Sequence, residues 1–166
     1  MKISAMLEAV RSEVEAVEPR VGRVYHTLLS KFEPGEIALD TRFLDPRLGP
    51  DQVVKFFIVF PNDGELKRHT TGRPGYLLLD QEFVISGFVN VQKSGGPELV
   101  LVDDFENISR RLSSLLRVVD SAGQETEVSN PGPFRISGID RIKVGDTLCH
   151  FMTMRFSLAE RRLGGV

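Results

Sequence analysis

The sequence predicts an α+β fold: a mainly antiparallel sheet packed against two amphipathic helices, with a long loop or hairpin excursion. Three observations predict it. Apolar residues recur at helical spacing near residues 3–17 and 105–119. Strand-like runs cluster between those segments and after the second. Finally, no regular strand–helix–strand alternation links them.

In the first segment Ile3, Met6, Leu7, Val10, Val14 and Val17 form one stripe, while Glu8, Arg11, Glu13 and Glu15 take the other positions. Pro19 ends this helix, because its ring replaces the backbone N–H and pushes the preceding residue out of helical space. Val21 to Leu29 has the β-branched and aromatic content of a short strand, with Val24 and Leu28 as inward residues. From Glu33 to Gln52, the pairs Pro34-Gly35 and Asp45-Pro46 and the run Leu48-Gly49-Pro50 predict an irregular excursion.

Val53 to Phe60 is rich in β-formers. Pro61-Asn62-Asp63-Gly64 is expected to turn, Leu66 to Thr71 to return, and Gly72-Arg73-Pro74-Gly75 to turn again before Tyr76 to Leu79. Phe83 to Val91 adds a strand with Phe83, Ile85, Gly87, Val89 and Val91 on one face, and Ser94-Gly95-Gly96-Pro97 closes it. A second helix is expected from about Phe105 to Val119, striped by Phe105, Ile108, Leu112, Leu115, Leu116 and Val119. Asp103 is its N-cap and Glu106 lies three positions on. Asp120 to Pro133 is polar and turn-rich. A closing hairpin then pairs Phe134–Val144 with Thr147–Leu158 through Gly145-Asp146. On its last strand Leu148, His150, Met152, Met154, Phe156 and Leu158 share one face, and Cys149, Phe151, Thr153 and Arg155 the other.

The length of 166 residues predicts a single domain over 1–166, with 33–79 as an extended arm or hairpin insertion. A hydrophobic content of 41% and a charged content of 27% place the chain among ordinary globular proteins. The formal charge of -2, with acids and bases interspersed, lacks the block of positive field that sequence-independent DNA binding requires. The longest apolar runs fall far short of the ~20 residues of a membrane-spanning helix. One cysteine, Cys149, forms no internal disulfide, and the opening segment is amphipathic rather than continuously apolar, so the expected place of synthesis is the cytoplasm.

The residue patterns point away from catalysis. His26, His69 and His150 are far apart and lack the H-E-x-x-H or C-x-x-C spacing of a zinc site, so no metal or cofactor is expected. Cys149 and His150 are adjacent, but neighbouring side chains on a strand diverge, which prevents a thiolate–base pair. Asp103-Asp104 is read as a helix start where acids offset the macrodipole, and Glu125 and Glu127 as a solvated turn. The glycine-rich runs Gly72–Gly75 and Ser94–Pro97 lack the ending of a phosphate-binding loop. Lys67, Arg68, His69 and Arg73 form the one basic cluster, placed at a hairpin tip: a solvated loop in the plain reading, an interface arm to an acidic partner or nucleic acid in the sharper one.

The order of elements is more informative than any motif. An opening helix ended by Glu18-Pro19 leads to a strand with Val24-Tyr25 and a central meander. The helix Asp104 to Val119 follows, and then a closing hairpin ending Met152-Thr153-Met154-Arg155-Phe156-Ser157-Leu158. This layout resembles the tail terminator family of long-tailed bacteriophages and related tail-like particles. The resemblance implies a non-enzymatic structural virion protein. It would form a homo-hexameric ring at the head-proximal end of the tail tube, stop tube polymerisation and join the tail to the head. The implied partners are the tail tube protein and the head-side connector protein, with genome DNA passing through the ring without sequence-specific contacts. Glu33 to Leu79 exceeds what a minimal terminator needs and is left as an added arm or a contact to a sheath protein. Subunits would join partly through the hairpin from Val53 to Leu79, using exposed strand edges. Two other readings stay open: a phage neck or tail adaptor of the same fold, and a small ligand-binding or enzymatic domain whose first residues to inspect are His150, Cys149 and Glu82.

Overall fold

The computed structural model describes residues 3–18, 23–25, 30–33, 36–39, 55–68, 75–91, 98–144 and 147–161. They form an α+β fold with two helices, an eight-stranded mainly antiparallel sheet and a separate two-stranded sheet. Helix α1 (Ile3–Glu15) follows its apolar stripe, burying Met6, Val10 and Val14. Pro19 lies outside the described residues. Strand β1 (Arg23–Tyr25) runs parallel to β4 (Lys55–Arg68), its residues opposite Phe56 to Ile58. Part of the expected irregular excursion is instead a small hairpin of β2 (Ser30–Glu33) and β3 (Glu36–Leu39), in register from Ser30–Leu39 to Glu33–Glu36.

The central hairpin corrects the expected meander. Pro61-Asn62-Asp63-Gly64 does not turn the chain: β4 runs straight through it and pairs along its length with β5 (Tyr76–Asn90). Asn62 and Asp63 together face Glu82, a β-bulge. The reason is Gln81, buried to 2% exposure, whose Nε2 donates to the carbonyls of Asn62 and Glu82 at 2.9 Å each. Gly64 leaves room for that side chain, since a Cβ there would collide with Gln81 Oε1. A second irregularity between Glu65 and Leu66 places the extra residue, Leu79, on β5, and so restores the original register.

β5 is the middle of the sheet, between β4 and β10 (Thr147–Glu160). Its residues from Phe83 to Asn90 are all buried. On one face Phe83, Ile85 and Val89 join Phe57, Val59, Met152, Met154, Phe156 and Leu158 under the helices. On the other, Phe88 stacks on Phe56 at 4.6 Å between ring centroids and packs with Ile58 and Cys149.

Helix α2 (Glu98–Ser113) begins and ends earlier than the periodicity predicts. Asp103 is therefore inside the helix rather than its cap, and Leu101, Phe105, Ile108 and Leu112 form the buried stripe. Phe105 meets Phe57 edge-on at 5.7 Å. Both rings sit over Gly87, where a Cβ would lie 2.8 Å from Phe57 Cε1 and 3.1 Å from Phe105 Cζ. Asp104 falls on the inward side, its Oδ2 2.7 Å from Lys55 Nζ at the start of β4. Burial pushes its carboxyl above the ordinary 3.8, with Lys55 opposing that rise and Asp103 adding to it. Arg111 Nε donates to Glu13 Oε2 at 2.6 Å and ties the two helices together.

The helical pattern beyond Ser113 misleads. Leu116 and Val119 are exposed, Val118 is buried, and the chain there forms β6 (Arg117–Val119). β7 (Glu125–Ser129) returns beside it, correcting the turn expected at Glu125 and Glu127. Asp120 shapes the connection, its Oδ1 accepting from the backbone N–H groups of Ala122 and Gln124 at 2.9 Å each, and Gly123 takes a positive φ of 79°. The penultimate strand is split into β8 (Arg135–Ile136) and β9 (Asp140–Val144), both paired with β10; the expected turn at Gly145-Asp146 lies outside the described residues.

Two stability predictions follow from this packing. Gly87→Ala should lower the unfolding free energy by about 1–3 kcal/mol, because a methyl group must displace two packed rings; urea denaturation monitored by circular dichroism checks it. Lys55→Met, which strands a buried carboxylate, should cost about 3 kcal/mol, and adding Asp104→Leu should recover most of that loss in the same assay.

Candidate functional site

The residues singled out for chemistry do not converge. Cys149 lies opposite Asn90 and His150 opposite Val89, while Glu82 lies opposite Ser157 toward the other end of β5. At roughly 3.3 Å per residue, about 26 Å separates Glu82 from the Cys149 position. Cys149 packs with Phe56, Ile58 and Phe88, whereas Val89 beside His150 belongs to the helix-side cluster, so the two neighbours occupy opposite faces as the alternation predicts. Burial pushes the Cys149 thiol from its ordinary 9.0 up to about 11, the reverse of what a nucleophile needs. Glu82 Oε1 accepts from Asn62 Nδ2 at 3.3 Å and from Arg155 Nη1 at 3.4 Å, a structural role beside the bulge. Among the described residues, no group of three or more His, Cys, Asp or Glu is placed to hold a metal ion, and no helix is long and apolar enough to cross a membrane.

What the fold does present is surface. Past the bulge, Gly64–Arg68 and Tyr76–Gln81 continue as a two-stranded ribbon. β1 accompanies β4 only along Phe56 to Ile58, and the ladder of β10 on β5 stops at Gln81. Among the described strands, both outer edges of the ribbon are therefore open. Leu66 pairs with Leu78 and Arg68 with Tyr76, so these four side chains share one face. Leu78 anchors that face in the helix-side core, while Leu66 and Tyr76 are exposed to 55% and 62%. Of the four residues read as a basic interface arm, Lys67 and Arg68 end β4 and are exposed. His69 and Arg73 lie outside the described residues.

A second surface lies at the start of α2, where the sequence predicts no helix. The first turns of α2, Leu99-Val100-Leu101-Val102, are apolar on every side, yet only Leu101 is buried. Leu99, at 67% exposure, and Val102 fall at spacing i and i+3, and Asp103 and Glu106 extend the same outward stripe at i+4 and i+7. Glu106 also pairs with Arg110 one turn on. An apolar tetrapeptide shows no periodicity, so the sequence signal was present but could not be assigned to a helix face.

No protein-family model matches this sequence, and no curated protein matches it. A solved structure superposes on the chain with a TM-score of 0.49 at 12% identity, covering 98% of this chain and 95% of its own.

The thiol gives a direct check of the site geometry. At pH 8 Cys149 should react with Ellman's reagent at least about tenfold more slowly in the native protein than in urea, because the smaller thiolate fraction outweighs the gain in nucleophilicity and the buried sulfur is shielded as well. Rapid native labelling would contradict its burial.

Proposed function

We propose that this chain is a structural virion protein of the tail terminator type. In this reading it forms a homo-hexameric ring at the head-proximal end of a phage tail tube, halts tube growth and offers its other side to the head-side connector protein. The observation that carries the reading is the ribbon beyond the bulge, a two-stranded arm whose edges are open among the described strands and whose Leu66 and Tyr76 are exposed. Exposed apolar residues on an open-edged arm suit a subunit that works by packing against neighbours. The order of helix, strands, helix and closing strands supports it as well. Tail tube protein and, in a contractile tail, sheath protein are the further partners in this proposal, and genome DNA would pass through the ring.

Particles assembled without this protein should carry tubes of variable, excessive length that lack heads. Negative-stain microscopy of tail lengths, with and without complementation by the wild-type chain, measures this. Tails of normal length that merely fail to join heads would sink the terminator reading and favour a neck adaptor.

A further inference from the structure

Two surfaces, left without a partner among the described residues, are complementary to each other. On the arm, Leu66 and Tyr76 are exposed beside Arg68 on one face, with Lys67 on the other. On α2, exposed Leu99 and Val102 lie beside Asp103 and Glu106. Each is an apolar pair flanked by charge: Arg68 on the arm, and on the helix Asp103 with Glu106, which also pairs with Arg110. They cannot meet within one molecule. Asp104 holds the first half of α2 against Lys55, the first residue of β4, whereas Arg68 is the last, and the strand between them spans roughly 40 Å at about 3.3 Å per residue.

We infer that the arm face Leu66–Arg68–Tyr76 of one subunit docks on the α2 stripe Leu99–Val102–Asp103–Glu106 of a second copy of this chain. The contact deepens the ring reading given above and rests on it. It joins two different surfaces, so it is head-to-tail: every subunit keeps one arm and one helix stripe to offer, and repetition closes into a ring when the rotation allows. Leu66 and Tyr76 would cover the apolar first turns of α2, and Arg68 would face Asp103 and Glu106, giving the contact its orientation.

Charge reversal tests this on the purified full-length protein, with sedimentation velocity as the readout and circular dichroism as the check on folding. Arg68→Glu alone, and Asp103→Lys with Glu106→Lys together, should each raise the concentration needed for assembly by about tenfold or more. An equimolar mixture of the two variants should assemble again, because acidic arms then meet basic helices and basic arms meet acidic ones. The triple variant carrying all three substitutions should recover for the same reason. Assembly of either variant at wild-type concentrations, or a mixture that stays dissociated, overturns the contact while leaving a ring built by other surfaces intact. A wild-type chain that remains monomeric at all concentrations removes the self-associating ring together with the contact.

Discussion

The structure depends on one constraint: β5 is buried on both faces. In a strand, successive side chains point to opposite sides, so a strand with all of Phe83 to Asn90 buried needs an apolar layer on each side and a paired strand along each edge. The edges are met by β4 and β10. One layer is the pair of helices, brought close by the missing side chain at Gly87 and fixed in register by the Phe57–Phe105 contact and the Lys55–Asp104 pair. On the other face Phe88 packs with Phe56 of β4 and Phe151 of β10 around Cys149, neighbours within the sheet itself. Cys149 and His150, suggestive as neighbours in the chain, are thereby assigned to opposite faces.

The same constraint explains why there is an arm. β4 and β5 continue past the point where β10 leaves β5 for β7, so the sheet narrows to a ribbon at Gln81. Two strands alone have marginal stability in water. This ribbon is anchored instead by two buried residues at its root: Gln81, bonded into the bulge, and Leu78, inserted into the core. Leu66, opposite Leu78, and Tyr76, beyond it, are exposed on the same face as Arg68.

The elements whose apolar residues keep a regular spacing were legible from the sequence. α1 and the last strand could be read because each displays an unbroken period, 3.6 or 2, over more than ten residues. The errors arose where distant residues decide a local structure. Pro61-Asn62-Asp63-Gly64 has the composition of a turn, and only Gln81, far along the chain, makes it a bulge. Leu115, Leu116 and Val119 continue a helical spacing, yet it is Val118 that the core takes, and the backbone changes to a strand to deliver it. The polar segment Glu125–Ser129 lacks a strand pattern because a single side chain, Val128, is buried. The basic arm was legible as Lys67 and Arg68. Its apolar members and the α2 stripe were not, since a leucine on the surface and a leucine in the core are the same letter.

The paired irregularities in the central hairpin have a joint consequence. Each interrupts the ladder and increases local twist, but the first adds a residue to β4 and the second to β5, so the net slip is zero. The tip of the ribbon is thus paired in the same register as the body, as if the strands had never been broken. Because each strand carries one extra residue, both exchange their inward and outward sets together, which is how even-numbered Leu78 reaches the core that odd-numbered Phe83 and Ile85 fill.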